Sequence, residues 1–476
     1  METVKAVDIS ARGMVCAMTP RKAALGSILM LIQLLMLQQT EAFPLSGDQT
    51  VLPPGTELYE ETLRRPRELF HTEAVGGHKS YLINLGDLVF NSPAILGGTA
   101  RQAEMSCGTC HVNGASNPKF FIPGLSTRPG NFDTTSLLFN PKAFNSLLDP
   151  VRIPSLRGAR FLAPYGHDGR SSSLRDFVQN VIVNEFAGPE PSPAILDALV
   201  AYITDIDFLP NPRITPGGAL APQASDAERR GEVLFFKPFT HQPNLSCAGC
   251  HIASGAFADQ LRHNVGSGGL MKTPTLLNAN FNAPYFHDGR YDSYEQVVAH
   301  FDREFDLRLS AADTADLAAY LDAVGDGERP FERDGVAIRM KEVRELASVL
   351  ELAIPAGDMA VVSLAVAGVG AELRELTERI PDTRNTTVKG GEKERIAARM
   401  AVKELVLSLR RIEMAVADGH SDEATAEYRT FGQLATFDVP VTLKKAEPWS
   451  LFNAEIQGAH YSALGRVLHS ASRQAQ

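Results

Sequence analysis

The chain has 476 residues, of which 44% are hydrophobic, and a formal net charge of −10 at pH 7. This length exceeds what one hydrophobic core organises, so two to four domains are expected. The acidic balance argues against nucleic acid and against anionic membrane surfaces as partners, but it leaves room for a basic electron-donor protein.

The N-terminus has the layout of a secretory signal peptide. Arg21-Lys22 precede an apolar run, Ala23–Leu37, which a polar stretch ending at Ala42 follows. We expect cleavage after Ala42, with 1–42 removed, and export to the periplasm. The run is short for a membrane span, although an uncleaved anchor remains the alternative. No other segment of the sequence suggests a span.

The first chemical motif follows a short predicted helix, Leu85–Phe90. It consists of Cys107, Cys110 and His111 in the pattern C-x-x-C-H. This pattern is the attachment signature of a c-type haem. The two thiols form thioethers with the haem vinyl groups, and the histidine becomes the proximal iron ligand.

The same pattern recurs at Cys247, Cys250 and His251. A predicted helix precedes it, and Ser225 with Glu228 forms a capping box at the start of that helix. The two motifs hold four of the five cysteines. We therefore predict two covalently bound haem c groups, with His111 and His251 as iron ligands. A disulfide or a four-cysteine zinc site remains the alternative.

An internal repeat relates the two motifs. Pro154–Arg170 and Pro274–Arg290 share eleven of seventeen residues, and each follows one C-x-x-C-H. Amphipathic helices follow both copies, at Leu174–Val183 and Tyr294–Phe301. The repeat predicts two tandem cytochrome c-like haem domains, 43–215 and 216–329.

Between the first motif and its repeat segment, 112–149 is rich in Gly, Pro, Asn and Phe and lacks any period. Loops of this length in compact domains are usually functional, so we expect an ordered loop over the first haem.

Both repeat copies end in His-Asp-Gly-Arg. Arg170 and Arg290 are predicted to pair with haem propionates, with His167 and His287 donating hydrogen bonds there. The alternative is a tight Asp-Gly turn followed by a solvated arginine.

Beyond Pro330, helical spacing of apolar residues predicts a helical bundle over 330–476, and hence a mainly α protein. Its role is interpreted as docking or stabilisation. The predicted helices are Val336–Ile354, which a break at Ile354-Pro355 ends, Met359–Ile380, Glu392–Ala417 and Ser421–Phe437.

The two C-x-x-C-H motifs, with P-[ST]-L-x-x-A-x-F-x-A-P-Y-x-H-D-G-R after the second, resemble the bacterial dihaem cytochrome c peroxidase/MauG family over about Leu85–Asp326. The resemblance implies one haem that relays electrons and one open haem that binds hydrogen peroxide beneath a proton-transferring carboxylate. It also implies a small electron-donor protein, a cytochrome or a cupredoxin, or else a protein substrate.

Carried onto this sequence, the resemblance assigns the catalytic carboxylate to Glu185, two residues out of register. Phe177 replaces a family glutamine, and His167 replaces the tryptophan between the haems. No histidine lies between His111 and His167, which favours the first haem as the open one.

The family's sixth ligand of the second haem falls on Phe301, which cannot bind iron. His300, His263 and Met271 are the alternatives. The family also holds calcium between its domains, but Arg152 stands where an asparagine ligand would be, so calcium stays open.

The sequence therefore predicts an exported dihaem c-type oxidoreductase that reduces peroxide or uses it to oxidise a partner. The rival is a dihaem electron carrier without catalytic activity, in which both irons are six-coordinate.

Overall fold

The structure is a computed structural model that describes residues 51–58, 64–66, 68–76, 79–328, 331–333, 335–382 and 388–460. The described chain is mainly helical, as the sequence predicted. The predicted signal peptide, 1–42, lies outside the described residues. Within them, no helix combines the length and apolarity that a membrane crossing requires.

Two stretches of chain, the first repeat (81–205) and the second repeat (226–325), contain the same succession of elements. The helices up to the end of the first repeat are α1 (His71–Ala74), α2 (Tyr81–Phe90), α3 (Gly98–Gln102), α4 (Cys107–Cys110), α5 (Leu174–Asn180) and α6 (Pro193–Asp205). Those of the second repeat are α7 (Asp226–Phe236), α8 (Cys247–Cys250), α9 (Tyr294–Phe305) and α10 (Ala311–Gly325).

The described strands are short and pair as three antiparallel ribbons. They are β1 (Arg64–Pro66) with β6 (Phe331–Arg333), β2 (Asn131–Phe132) with β3 (Val151–Arg152), and β4 (Arg262–His263) with β5 (Met271–Lys272). The second and third ribbons occupy equivalent places in the two repeats.

The first and last helices of each repeat cross at a glycine. A side chain at Gly86 would overlap the Ala198 carbonyl, and one at Gly231 would overlap the Asp316 carbonyl. Only glycine permits this approach of two backbones. Gly86 and Gly231 are poor helix formers, yet each lets two helices approach closely, α2 onto α6 and α7 onto α10.

The two repeats meet through reciprocal backbone contacts. Arg152 N–H donates to the carbonyl of His287 (2.8 Å), and Lys272 N–H donates to the carbonyl of His167 (2.9 Å). Arg152 and Lys272 are equivalent by the repeat, as are the two histidines. The contact therefore has a pseudo-two-fold character.

Side chains reinforce this contact with the same symmetry. Arg152 Nη1 donates to the carbonyl of Asn282 (3.3 Å), and Lys272 Nζ donates to that of the equivalent Leu162 (2.6 Å). Asn131 and Arg262 reach across to the carbonyls of Asp288 (2.8 Å) and Asp168 (3.1 Å).

The remaining helices, which we call the C-terminal helices, run from 336 to 446. They are α11 (Val336–Ala347), α12 (Leu350–Ala356), α13 (Met359–Glu378), α14 (Glu392–Ala417), α15 (Ser421–Gln433) and α16 (Val439–Ala446). The bounds predicted for Glu392–Ala417 are confirmed.

The predicted helix Val336–Ile354 is interrupted at Ser348, and its predicted break at Ile354-Pro355 lies two residues too early, because α12 ends at Ala356. The chain leaves helix at Ser348, whose hydroxyl donates to the Glu345 carbonyl (2.6 Å). A hydroxyl that bonds the preceding turn competes with the helical ladder. Pro355 lies inside α12, which ends at Gly357 with a φ of +64°.

The C-terminal helices share one hydrophobic core with the first repeat, whereas the second repeat has a core of its own. Leu88 of α2 is fully buried, and its Cδ1 lies 2.6 Å from where a Cβ at Gly368 would sit. Asn84 Nδ2 donates to Ser348 Oγ (3.4 Å), and Lys79 Nζ lies 3.9 Å from a carboxylate oxygen of Glu345.

This shared core makes a prediction about stability. Leu88→Ala should lower the free energy of unfolding by about 2–5 kcal/mol, because it opens a cavity on both sides of the contact. Limited proteolysis should then release the C-terminal helices. Leu317→Ala, in the core of the second repeat, is the matched control and should leave their resistance unchanged. Equal release from both variants would contradict the shared core.

Candidate haem sites and catalytic carboxylate

The first C-x-x-C-H forms one turn of helix, α4. Ser106 caps it in a reciprocal pair with Thr109, and His111 N–H donates to the carbonyl of Cys107 (2.9 Å). The turn therefore brings Cys107, Cys110 and His111 together within five consecutive residues.

The ring of His111 is held by a backbone carbonyl. Its Nδ1 lies 3.0 Å from the carbonyl oxygen of Pro154, which can only accept, so Nδ1 carries the proton. Burial lowers the pKa of His111 to about 4, and the imidazole is neutral at pH 7. The Nε2 lone pair then remains for a metal, as in most histidine–metal sites.

The second motif repeats this arrangement. His251 N–H donates to the carbonyl of Cys247 (2.9 Å), and His251 Nδ1 lies 3.0 Å from the carbonyl of Phe257. Burial lowers the pKa of His251 as well. Phe90 and Phe235 occupy equivalent places beside the two histidine rings, at 6.5 and 6.4 Å between centroids.

The donor set fits covalently bound haem, and the four cysteines do not converge as a four-cysteine zinc site requires. The cysteines of both motifs are free thiols, and burial raises the pKa of Cys107 to about 12 and that of Cys247 to about 11. Among the described residues, the potential metal ligands that converge are Cys250, Asp259 and His263, rather than four cysteines.

Glu185 ends a π-helical turn, Val181–Glu185, that continues α5. Its side chain is 12% exposed. Arg170 Nη2 lies 2.5 Å from Glu185 Oε1, and Asn180 Nδ2 lies 3.3 Å from the same oxygen. Two side chains, one charged and one neutral, thus donate to the same carboxylate oxygen.

Arg170 is itself fixed by two neighbours. Its Nη1 lies 3.2 Å from Asp168 Oδ1, and its guanidinium lies 4.9 Å from the centroid of the Phe177 ring. Phe177, which replaces the family's glutamine, thus helps to position the arginine that contacts Glu185. Arg290 instead forms an ion pair with Asp288 (2.6 Å). The propionate contacts predicted for both arginines stay predictions.

The two histidines of the repeated motif lie at the contact between the repeats. His167 is part-buried, and its Nε2 donates to the carbonyl of Arg152 (2.6 Å). Burial lowers the pKa of His167 to about 3, and the adjacent Arg152 cation acts in the same direction. Burial also lowers the pKa of His287. Their predicted hydrogen bonds to propionates likewise stay predictions.

The candidates for a sixth ligand to the second haem have other partners. His300 Nε2 donates to the carbonyl of Val265 (2.6 Å), and its Nδ1 accepts from the Tyr291 hydroxyl (2.9 Å). His263 Nε2 lies 2.7 Å from Asp259 Oδ2. If His300 bound iron through Nε2, it would lose its hydrogen bond to Val265, and its Nδ1 would have to become a donor towards Tyr291.

Arg152 affects whether a calcium ion could bind between the repeats. Its buried guanidinium donates to the carbonyls of Ile153 and Asn282, both at 3.3 Å. A divalent cation beside it would be repelled by its charge. The structure thus gives a physical reason against calcium next to Arg152.

Sequence reasoning missed an aromatic wall beside Glu185. The ring of Phe186, the next residue, lies 5.1 Å from Phe139 and 6.3 Å from Phe132 between centroids, and all three are buried. Phe132 and Phe139 come from the predicted loop over the first haem. The phenylalanine content of that loop was the available signal.

The missed residue of greatest consequence is Arg157, in the repeated motif. Its side chain is fully buried, and its guanidinium has no hydrogen-bond partner among the described residues. Its charge was visible in the sequence, but its burial was not.

The family described as di-haem cytochrome c peroxidase matches residues 226–324. Hydrazine synthase subunit gamma of Kuenenia stuttgartiensis is 25% identical over 237 residues, which are 45% of this chain and 58% of that protein. Cytochrome c551 peroxidase of Nitrosomonas europaea is 31% identical over 93 residues, 19% of this chain and 28% of that protein. Methylamine utilization protein MauG of Methylorubrum extorquens is 33% identical over 113 residues, 23% of this chain and 30% of that protein.

The chain thus spans less than two thirds of the length of each of these relatives. A solved structure of Kuenenia stuttgartiensis hydrazine synthase, pressurised with xenon, covers 57% of this chain and 97% of its own, with 21% identity and a TM-score of 0.38.

Haem attachment can be tested by counting haems. The mass of the denatured wild-type chain should include two haem groups. Replacing Cys107 and Cys110 together by alanine should remove one, and replacing Cys247 and Cys250 should remove the other, because each motif holds its own group by two thioethers. A denatured chain without any adduct, isolated from a strain that matures c-type cytochromes, would contradict the assignment.

Proposed function

Because residues 226–324 belong to the di-haem cytochrome c peroxidase family, we propose that the whole chain is an exported dihaem oxidoreductase. In this proposal it reduces hydrogen peroxide, or uses it to oxidise a partner, at the first haem. Cys107, Cys110 and His111 hold that haem, and Cys247, Cys250 and His251 hold the second.

The asymmetry at Glu185 carries this proposal. The repeat places Phe305 of the second repeat at the position of Glu185, and α9 continues to Phe305 without a π-helical turn. A proton-transferring carboxylate therefore stands in only one of the two equivalent positions, as expected when one haem reacts and the other relays electrons.

The chemistry divides between the cofactor and the chain. When bound, the haem held by Cys107, Cys110 and His111 would supply the electrons and the Lewis acidity for cleavage of the peroxide O–O bond. Glu185, held in place by Arg170, is suited to accept the proton of one peroxide oxygen and to return it to the other. Hydrogen peroxide, two protons and two electrons give two molecules of water.

The aromatic wall supports the same role. Phe132, Phe139 and Phe186 form a buried apolar cluster next to the turn that carries Glu185, and a hydrogen bond from Asn140 Nδ2 to the Asn184 carbonyl (2.5 Å) holds the loop against that turn. A carboxylate in a partly dry setting exchanges protons with a bound substrate rather than with bulk solvent.

We also propose the finer architecture that the sequence suggested: two tandem cytochrome c-like domains followed by a helical bundle. The stabilising role proposed for the bundle is supported by the core that the C-terminal helices share with the first repeat. The electrons would come from a small reduced cytochrome or cupredoxin, or from a protein substrate that becomes oxidised. The acidic chain favours a basic donor.

The main test replaces the carboxylate without changing its shape. Glu185→Gln should lower peroxide turnover by about 100-fold or more, because general acid–base catalysis contributes about 10²–10⁴-fold. Redox titration of both haems should remain as in the wild type. Glu304→Gln, next to Phe305 in the second repeat, is the matched control and should retain turnover.

The rival function, an electron carrier without catalysis, predicts a different result. Neither variant would then change any activity, and wild-type protein would not consume peroxide with a reduced donor. That outcome would replace the proposal by the carrier.

A further inference from the structure

Arg157 is the most buried arginine of the described chain, at 1% exposure. None of its guanidinium nitrogens, Nε, Nη1 or Nη2, has a hydrogen-bond partner among the described residues. The ring of Phe281, from the second repeat, lies 6.0 Å from its Cζ. A weak cation–π contact at that distance replaces none of the five N–H donors.

Other buried arginines of this protein are paired. Arg395 is 2% exposed, and its Nη1 donates to the carbonyls of Pro381 (2.9 Å) and Asp382 (3.0 Å). Arg339, also buried, has Glu375 at 2.7 Å. Arg157 therefore departs from a rule that the rest of the structure obeys. The charge of Glu68 acts on Arg157 but does not accept its hydrogen bonds. Buried N–H donors without an acceptor are strongly destabilising, so a bound acceptor is expected there.

The backbone around Arg157 is pinned to the first haem site. Leu156 N–H donates to the Gly114 carbonyl (2.8 Å), and Gly158 N–H donates to the Ile206 carbonyl (3.0 Å). Gly158 has a φ of +68°, and a side chain there would overlap Phe208. The same segment begins at Pro154, whose carbonyl holds His111. The origin of the Arg157 side chain is thus fixed relative to the proximal histidine.

We propose that Arg157 binds a carboxylate, a propionate of the haem that Cys107 and Cys110 attach. A guanidinium matches a carboxylate with two parallel hydrogen bonds, and a c-type haem brings two carboxylates into the fold with it. Arg170, the arginine that the sequence suggested for this task, is occupied by Glu185 and Asp168. The proposal depends on haem attachment, and it does not depend on the peroxide reaction.

The proposed contact with a propionate exists in only one of the two repeats. Leu277 occupies the position equivalent to Arg157 in the second repeat. A cation that neutralises a propionate favours the reduced iron, so Arg157 raises the reduction potential of the first haem and leaves that of the second unchanged.

The test is a spectroelectrochemical titration of the haem-loaded protein, with each wave assigned by the two double-cysteine variants. Arg157→Met replaces the arginine by a long, apolar side chain. It should shift the oxidation equilibrium of the first haem about tenfold towards the ferric state, which lowers its reduction potential by about 59 mV for one electron. Arg160→Leu is the matched control, since its charge is already paired with Asp207 (2.8 Å). It should shift that potential much less.

Arg157→Lys keeps the charge but substitutes a group that titrates. The potential of the first haem should stay near the wild-type value at neutral pH and gain a pH dependence at alkaline pH, as the amine loses its proton. This variant decides the matter if Arg157→Met does not load haem. Unchanged potentials of the first haem at every pH in the variants that load would overturn the proposal. A shift confined to the second haem would overturn the assignment to the first.

These tests measure reduction potentials and do not depend on whether the protein reacts with peroxide. If the protein proves to be an electron carrier, the shift in potential is still expected. If haem is not attached at all, both the proposal and the proposed function fail, and the mass measurement shows this first.

Discussion

The hydrogen bond from His111 Nδ1 to the carbonyl of Pro154 joins the two parts of the chain on which this protein depends. One part is the C-x-x-C-H turn, and the other is the repeated segment Pro154–Arg170. The bond sets the tautomer that leaves Nε2 for iron. It also anchors the segment from which Arg157 and Arg170 extend, so the positions of a buried cation and of the partner of Glu185 follow from it.

The two repeats share a scaffold but differ in the residues that would give it chemistry. Both have the glycine crossing, the aromatic residue beside the proximal histidine and the reciprocal contacts at the shared face. Only the first has a carboxylate on a π-helical turn and an unpaired buried arginine, whereas Phe305 and Leu277 stand at the equivalent positions. The repeat therefore supplies a common framework, and in the proposed function a few substitutions divide the labour between its halves.

The features that could be predicted from the sequence depend on local or repeated patterns. The capping box of Ser225 with Glu228 and the span of Glu392–Ala417 follow from local preferences. The mainly helical fold and the family of the second haem segment were predicted from periodicity and motif.

What the sequence did not reveal depends on contacts between distant elements. The pairing of Arg170 with Glu185 joins a turn to a helix end, and the burial of Arg157 needs both repeats in place. The core that α2 shares with α13 links residues far apart in the chain. The break at Ser348 was missed because buried apolar residues continue on both sides of it, at Leu346 and Leu350.

The central claim is that the first haem site is open and reacts with peroxide. Low-temperature EPR of the oxidised and half-reduced protein, recorded with and without hydrogen peroxide, tests it most directly. The account predicts a high-spin ferric signal that peroxide consumes and that persists when Cys247 and Cys250 are both replaced by alanine. Two low-spin signals that are indifferent to peroxide in both redox states would contradict it.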